Sequence, residues 1–313
     1  MVSFLKGQNI YNGEIDGFVS SRYRVVARLS KGGTSEIYKA IDKFNNSKVV
    51  IKILQSDYVD SPEEGIDGKD GVIPGSPNHE ISKAHEFITQ EVKFLESCHH
   101  PNIIHLRDYN LTAERPYIVL DFLENITLEK EILHKNRTFS IKETLSILEQ
   151  ICDALGYVHN KGYVYCDLKP NNIISINQNL ILIDFGLVRP INTPILGGTI
   201  GYMAPEALQS YNIPVLAEPT LDIYALGILL YELLTEFHPT AYQNNINVAN
   251  NPGGKTIRAK ATPNQKLASE LNPYLPKIFD KILLRCIENN PKDRYQSTGQ
   301  LIRDFTREAK SFI

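Results

Sequence analysis

Residues 164–172 read Val164-Tyr165-Cys166-Asp167-Leu168-Lys169-Pro170-Asn171-Asn172, and a little further on the chain reads Ile183-Asp184-Phe185-Gly186. Two short apolar runs, residues 173–176 and 180–183, lie between these segments. The polar residues 177–179 separate the two runs. Apolar runs joined by asparagine-rich residues, which tolerate a left-handed backbone, predict a β-hairpin.

The predicted hairpin would gather chemically active side chains. Asp167, Lys169 and Asn172 precede it and Asp184 follows it, so we expect all of them near one point. Carboxylate and amide oxygens are the ligands that Mg²⁺ prefers. This set is suited to holding a divalent metal on a polyphosphate while a carboxylate orients an incoming hydroxyl.

The pattern D-x-K-P-x-N followed by D-F-G resembles signature elements of the eukaryotic-type (Hanks-type) protein kinase family, including its bacterial members. The resemblance implies an α+β, two-lobed fold, with a small β-rich N-lobe (residues 21–123) and a larger helical C-lobe (124–313). Residues 1–20 would form an N-terminal extension. It also implies ATP and Mg²⁺ as cofactors and an unspecified protein substrate. The Asp167-Leu168-Lys169-Pro170 run resembles the serine/threonine branch.

The resemblance assigns a role to each polar residue at the hairpin. Asp167 would accept a hydrogen bond from the substrate hydroxyl, and Lys169 would neutralise the transferring phosphoryl group. Asn172 and Asp184 would bind Mg²⁺, and Ile174 would contact ATP.

A phosphate loop is predicted between the first two strands. Apolar and polar residues alternate from 22 to 29, which predicts a half-buried strand, and a second strand follows through Ala40. On the residues alone, the segment between them could be an ordinary hairpin turn. The family pattern G-x-G-x-x-G keeps only its middle glycine here. By resemblance, the residues that cover ATP are Leu29, Ser30, Gly32, Gly33, Ser35 and Ile37.

Lys52 is the only charged residue in the third predicted strand, residues 49–54. Such a lysine is often a snorkelling residue. By resemblance, Lys52 reaches the α- and β-phosphates and pairs with Glu91 on an amphipathic helix predicted over 80–97. Val50 would form the roof of the adenine pocket.

A strand over residues 116–123 marks the predicted lobe boundary. By resemblance, Leu120 closes the back of the adenine pocket, and the backbone of Asp121 and Leu123 bonds the adenine.

Further family elements follow toward the C-terminus. A capping box at Ser140 and Glu143 opens a long helix that ends near Gly162. Residues 198–206 match the peptide-docking pattern G-T-x-G-Y-x-A-P-E, which implies substrate docking at Thr199. The remaining features that the resemblance implies are structural: Asp222 opens a buried helix, Arg294 pairs with Glu206, and two helices (276–287 and one capped at 297–300) close the chain.

Three stretches carry no clear pattern. Residues 55–79 are rich in glycine, proline and charge, which predicts a mobile insert. An asparagine-rich surface loop is predicted between 243 and 263. Residues 1–20 could be a tail or a strap packed on the first lobe.

Composition favours a soluble, cytoplasmic protein. The chain has 313 residues, 42% of them hydrophobic, and a net charge of −3, which gives no electrostatic case for nucleic acid or anionic membrane. The four cysteines have no metal-binding spacing and are expected to be reduced thiols. The first residues turn polar too early for a signal peptide, and the apolar stretch 223–234 is too short for a membrane span.

Two other functions compete with an active protein kinase. A pseudokinase scaffold is favoured by Ser30 and Ser35 in the phosphate loop and by Tyr165-Cys166 in place of His-Arg. Against it, neither the strand lysine nor a metal ligand is lost. A small-molecule phosphotransferase is disfavoured by the docking segment. A redox switch at Cys166 is disfavoured because no pattern promotes its thiolate.

Regulation by phosphorylation of the segment 184–206 is not expected. Many kinases place arginine before the catalytic aspartate to bind an activating phosphate, and Cys166 cannot do so. Thr193 is the one hydroxyl of this segment that the docking role leaves free. We expect Ile191, Ile195 and Leu196 to order the segment by packing.

Overall fold

The structure is a computed structural model that describes residues 13, 15–55, 77–124, 126–135, 138–208, 214–239 and 266–313. The chain divides into two compact units, Met1–His99 with Ile104–Glu124 and His100–Ile103 with Asn125–Ile313. Most of the predicted insert, the asparagine-rich loop and residues 1–12 lie outside the described residues.

The first unit contains an antiparallel sheet and one helix. The sheet has the strand order β1-β2-β3-β5-β4. Its elements are β1 (Tyr23–Lys31), β2 (Ser35–Asp42), β3 (Ser47–Leu54), α1 (Pro77–Glu96), β4 (Leu106–Asn110) and β5 (Tyr117–Asp121). Helix α1 begins at Pro77, where the missing N–H of proline costs nothing. Residues 77–79, which the sequence assigned to the insert, are therefore helical.

One face of the sheet forms a dry core. Alternation along β1 to β3 and β5 directs every second side chain to this face. Its members are at most 7% exposed: Tyr23, Val25, Tyr38, Ala40, Val49, Ile51, Ile53, Tyr117 and Val119.

Part of the predicted N-terminal extension belongs to this core. Ile15 is completely buried and Val19 is 7% exposed, and Phe18 packs against the same cluster. The guanidinium of Arg115 lies over the Phe18 ring at 5.3 Å. Residues 15–19 therefore act as a strap on the first unit, which the lack of a clear period in this stretch concealed.

The second unit is mainly helical. It contains β6 (Ile126–Thr127), α2 (Leu128–Lys135), α3 (Ile141–Asn160), β7 (Tyr163–Val164), a 3-10 turn (Pro170–Asn172), β8 (Ile173–Ile176), β9 (Asn179–Leu182), β10 (Arg189–Pro190), α4 (Pro205–Leu208), α5 (Pro219–Thr235), α6 (Ala268–Leu271), α7 (Ile278–Cys286) and α8 (Thr298–Ala309).

The predicted hairpin is confirmed as β8 and β9. Ile173 pairs with Leu182 and Ile176 with Asn179. The two turn residues have positive φ angles, 49° for Asn177 and 71° for Gln178. A two-residue turn of this kind matches the right-handed twist of the strands. Asn179, assigned to the turn by the sequence, begins β9.

Helix α3 has the predicted capping box. The Ser140 hydroxyl accepts from the Glu143 N–H at 3.2 Å, and the Glu143 carboxylate accepts from the Ser140 N–H at 2.8 Å. Gly162 follows the helix with a φ of 82°, which suits a residue without a Cβ.

Helix α5 is buried along nearly its whole length. A methyl group on Gly227 would overlap the Cβ of Cys286 and lie 2.7 Å from the Ile287 Cγ2 atom, so glycine permits close packing at the end of α7. Among the described residues, no helix combines the length and apolarity that crossing a bilayer requires. The α+β fold class expected from the sequence is confirmed.

Candidate active site

Except for Ile174, which lies on β8 in the second unit, the predicted ATP-binding residues lie on and around the sheet of the first unit. Ile37 of β2 lies opposite Lys52 of β3, and Val50 of β3 lies opposite Leu120 of β5. Residues directly opposite in antiparallel strands direct their side chains to the same face. Because Val50 and Lys52 are two positions apart on β3, these side chains share the face that is turned away from the core cluster.

Lys52 and Glu91 form the ion pair that the resemblance implied. The Lys52 Nζ atom lies 2.7 Å from the Glu91 Oε2 atom. The Glu91 side chain is fully buried and that of Lys52 is 12% exposed. A buried carboxylate needs such a partner, so the pair ties α1 to β3.

Leu29 and Ser30 lie near the end of β1, Gly32 and Gly33 lie in the turn to β2, and Ser35 begins β2. The turn is closed by a hydrogen bond from the Gly32 N–H to the Ser35 carbonyl at 2.8 Å.

The end of β5 offers only part of its backbone to a ligand. The Asp121 N–H donates to the His105 carbonyl at 3.2 Å, and the Asp121 carboxylate binds Arg107. The Asp121 N–H is therefore engaged within the first unit. Leu123, two residues past β5, is half-buried.

In the second unit, Asp167, Lys169 and Thr199 form a closed set of hydrogen bonds. The Lys169 Nζ atom lies 2.7 Å from the Asp167 Oδ2 atom and 2.7 Å from the Thr199 Oγ1 atom. The Thr199 hydroxyl donates to the Asp167 Oδ1 atom at 2.6 Å. Residues 167–169 and the predicted docking segment are thus joined by side chains for which the resemblance implies a chemical role.

Asn172 also contacts the Asp167 carboxylate. Its Nδ2 atom donates to the Asp167 carbonyl at 3.0 Å and to the Asp167 Oδ2 atom at 2.8 Å. These bonds turn the Asn172 Oδ1 atom away from Asp167. The Ile183 N–H donates to the Asn172 carbonyl at 2.9 Å, which brings the residue before Asp184 next to Asn172.

Asp222 fixes the backbone directly before Asp167. Its carboxylate accepts from the Tyr165 N–H and the Cys166 N–H, both at 2.9 Å. The His159 Nε2 atom lies 2.8 Å from the same carboxylate. Asp222 is 1% exposed. These bonds hold Cys166 at a φ of 67°, a left-handed conformation that is costly for a residue with a side chain.

Tyr165 links the segment before Asp167 to the Ile183-Asp184-Phe185 segment. Its hydroxyl donates to the Ile183 carbonyl, and its ring packs edge-on against Phe185 with 4.8 Å between centroids. Burial raises the pKa of Tyr165 well above its usual value, so the hydroxyl stays a donor. Asp184 itself has a φ of 62° and an exposed side chain.

Arg294 and Glu206 form the predicted ion pair in a bidentate arrangement. The Arg294 Nη1 atom lies 2.7 Å from the Glu206 Oε1 atom, and the Nη2 atom lies 2.7 Å from the Oε2 atom. Arg294 is 1% exposed. The same guanidinium also donates to the Thr220 carbonyl at 3.2 Å, so it connects α4 to the start of α5.

Several supporting residues were missed by the sequence analysis. Tyr202 donates to Glu232 of α5 at 2.6 Å, and His159 contacts Asp222. Their partners are far apart in the sequence, so no local period signals them. Gln55, the first residue of the predicted insert, is instead buried and bonded to the turn after β1.

Backbone bonds order the segment after Gly186. The Ala217 N–H donates to the Thr193 carbonyl at 2.8 Å, and the Ile195 N–H donates to the Val215 carbonyl at 2.9 Å. Ile191, Ile195 and Leu196 are only half-buried. Backbone pairing with residues 215–217 therefore orders this segment, and ordering by side-chain packing stays a prediction.

Comparison with known proteins agrees with this geometry. Residues 23–305 match the protein kinase domain family. The chain is 28% identical over 305 residues to a probable serine/threonine-protein kinase of Clostridium acetobutylicum, covering 94% of this chain and 41% of that protein. It is 29% identical over 296 residues to the serine/threonine-protein kinase PrkC of Bacillus subtilis, covering 91% and 40%.

A third relative is the serine/threonine-protein kinase PknB of Mycolicibacterium smegmatis, 26% identical over 303 residues, with 92% and 43% covered. The chain thus spans about two fifths of the length of the curated relatives it matches. Because the family match covers nearly the whole chain and the Asp167, Lys169 and Asn172 set is assembled in the second unit, the chain belongs to the protein kinase domain family.

Proposed function

We propose that the protein is an ATP-dependent serine/threonine protein kinase, which transfers the γ-phosphoryl group of MgATP to a protein hydroxyl. The observation that carries this proposal is the hydrogen-bonded set of Asp167, Lys169, Thr199 and Asn172. The matched relatives named serine/threonine-protein kinases support it.

The residues fit the cofactors of the family. Asn172 is bonded to Asp167 through its nitrogen, which leaves an amide oxygen as the ligand for a hard cation such as Mg²⁺. Asp184 supplies a carboxylate, and Ile183 is bonded to Asn172. Mg²⁺ held here would neutralise charge on the phosphates of ATP.

Each side chain then has one task in phosphoryl transfer. Asp167 accepts a hydrogen bond from the acceptor hydroxyl and orients its oxygen. Lys169 balances negative charge on the group in transit, and Lys52 positions the phosphates while Glu91 holds the lysine. Catalysis by such a set is mostly positioning and charge stabilisation.

The adenine base and the protein acceptor have their own proposed contacts. Val50, Leu120 and Ile174 would enclose the base, and the backbone at Asp121 and Leu123 would bond it. Thr199, whose hydroxyl is bonded to Asp167, would contact the acceptor segment.

The proposal is tested by transfer of radiolabelled γ-phosphate to a generic basic protein and to the chain itself. Asp167→Asn keeps the shape of the side chain and removes its charge, so transfer should fall by at least a hundredfold. Acid hydrolysis of the product should give phosphoserine or phosphothreonine. Binding of ATP that raises the melting temperature, with no transfer by the wild type, would indicate a pseudokinase scaffold instead.

A cytoplasmic location is part of the same proposal. All four cysteines are free thiols, and reduced thiols are the rule in the cytosol. Fractionation of cells that express the protein, followed by immunoblotting, tests this part: recovery in the membrane fraction would contradict it.

A further inference from the structure

Gln55, the residue directly after β3, contacts the turn that joins β1 to β2. Its Nε2 atom donates to the Gly32 carbonyl at 2.6 Å and to the Gly33 carbonyl at 3.2 Å. The Gln55 N–H donates to the Thr34 carbonyl at 3.0 Å. One residue therefore binds three consecutive carbonyl groups of the turn.

These bonds leave the turn little freedom. Gln55 is 5% exposed, and a buried carboxamide must keep its N–H groups bonded. Rotation of the Gly32 or Gly33 peptide group would leave a buried donor unpaired. A loop that contains two glycines, and would otherwise be flexible, is thus held in one conformation.

The end of β3, directly before Gln55, is itself held in place by hydrogen bonds. The Leu54 carbonyl accepts from the Arg115 Nε atom at 2.9 Å, and the Leu54 N–H donates to the Pro116 carbonyl at 2.9 Å. Arg115 also forms a buried ion pair with Glu36 of β2 at 2.9 Å. The strand end that carries Gln55 is therefore tied to both β2 and the segment before β5.

The direction of two N–H groups follows from peptide geometry. In a trans peptide group the carbonyl and the N–H of the next residue point in opposite directions. With the Gly32 and Gly33 carbonyls directed at Gln55, the N–H groups of Gly33 and Thr34 point away from it. Neither of them donates to a described residue. Successive N–H groups on one side of a turn form an anion-binding concavity.

We propose that Gln55 is a positioning residue that directs the N–H groups of Gly33 and Thr34 at the phosphates of the bound nucleotide. The inference rests on the proposed function, because it takes ATP as the ligand. It explains how the loop can work with Ser30 and Ser35 where the family pattern has glycine. The loop is held in its phosphate-binding form by a side chain instead of closing by its own flexibility.

The test compares two ligands that differ only in their phosphates. Gln55→Met keeps the length of the side chain and removes its donors without adding charge. Affinities of the full chain for MgATP and for adenosine are measured by calorimetry. We expect ATP to bind at least tenfold more weakly to the variant, while adenosine binds within twofold of the wild-type value.

The matched control is Gln296→Met. The Gln296 carboxamide also donates to turn carbonyls, those of Pro291, Lys292 and Arg294. It lies outside the proposed site, so both affinities should stay unchanged. Melting curves of each variant without ligand establish that the protein is folded.

The outcomes separate this inference from the proposed function. Equal losses of ATP and adenosine affinity, or no loss of either, would overturn the role of Gln55. A wild-type chain that binds ATP without transferring phosphate would contradict kinase activity. The comparison of ATP and adenosine affinities would still test whether Gln55 positions the turn. A wild-type chain that does not bind ATP would overturn both.

Discussion

The Cys166 N–H donates a hydrogen bond to the Asp222 Oδ1 atom at 2.9 Å, across 56 positions of the sequence. This bond joins the buried helix α5 to the residue directly before Asp167, the proposed catalytic residue. It offsets the cost of the left-handed backbone at Cys166. The orientation of Asp167 therefore depends on the Asp222 carboxylate, which has no proposed contact with ATP or with the acceptor hydroxyl.

Asp222→Asn should weaken both folding and transfer. The amide presents an N–H₂ group to one of the two backbone donors, which leaves a buried N–H without an acceptor. We expect a loss of about 1–3 kcal/mol in the free energy of unfolding, measured in urea. The rate of phosphate transfer should fall at least tenfold with a smaller change in the KM for ATP. Unchanged stability and rate would show that this carboxylate is dispensable.

Lys52→Ala should remove most transfer and also destabilise the first unit. The substitution removes the ammonium group that faces the buried Glu91 carboxylate, and breaking a buried ion pair costs about 3–5 kcal/mol. In the double variant Lys52→Met, Glu91→Gln no charge is buried, so most of the stability should return while transfer stays lost. Recovery of transfer in the double variant would contradict the role given to Lys52.

Phosphorylation of Thr193 should not control the enzyme. Its hydroxyl donates to the Pro190 carbonyl at 2.7 Å within a turn, and the adjacent backbone is paired with residue 217. Thr193→Ala should cost about 1 kcal/mol of stability. Phosphatase-treated wild type and Thr193→Ala should transfer phosphate within tenfold of the untreated rate, a change below about 1.4 kcal/mol of barrier. A larger loss in either sample would reveal a phosphorylation switch.

Cys166 should resist alkylation at neutral pH. Burial raises the pKa of its thiol well above the usual value, with a further rise from the charge of Asp222. The neutral thiol is therefore the main form at pH 7, and only the thiolate reacts with iodoacetamide. Because a raised pKa moves thiolate formation to higher pH, labelling should accelerate only in alkaline solution. Peptide mapping by mass spectrometry measures this, and rapid labelling of Cys166 at pH 7 would contradict it.

Gly227→Ala should destabilise the protein although alanine is the better helix former. Its methyl group would overlap Cys286 and crowd Ile287. Overpacking of this kind costs about 1–3 kcal/mol and exceeds the gain of about 1 kcal/mol in helix propensity. Gly17→Ala is the control, because a methyl group there meets nothing within 4 Å. A melting temperature of Gly227→Ala at or above the wild-type value would refute the packing argument.

Local patterns predicted the elements well where one side of the chain is buried. Residues only a few positions apart determine three of these features: the alternation in β1, the capping box of α3 and the Asn177-Gln178 turn. Resemblance supplied the Arg294–Glu206 pair, which spans 88 positions and has no local signal. The roles of the individual site residues remain predictions.

Contacts set by tertiary packing were not predictable. Ile15 and Val19 belong to a stretch without a period, yet they enter the core of the first unit. Gln55 is polar like the residues of the predicted insert that follow it in the sequence. Its structural role depends on its contact with the β1–β2 turn, which no local pattern reveals. The bond from Tyr202 to Glu232 likewise depends on how α5 packs.

The burial of α5 has a consequence for the nascent chain during its synthesis on the ribosome. Residues 219–235 leave the ribosome before Cys286 of α7 and the following Ile287, which pack against Gly227. Until those later residues emerge, a helix that is apolar on nearly every side has no complete cover. Exposed surface of this kind drives aggregation of nascent chains. Chaperone occupancy during synthesis is therefore expected to be highest in the interval between the emergence of α5 and that of α7, which ribosome profiling of chaperone-bound nascent chains can measure.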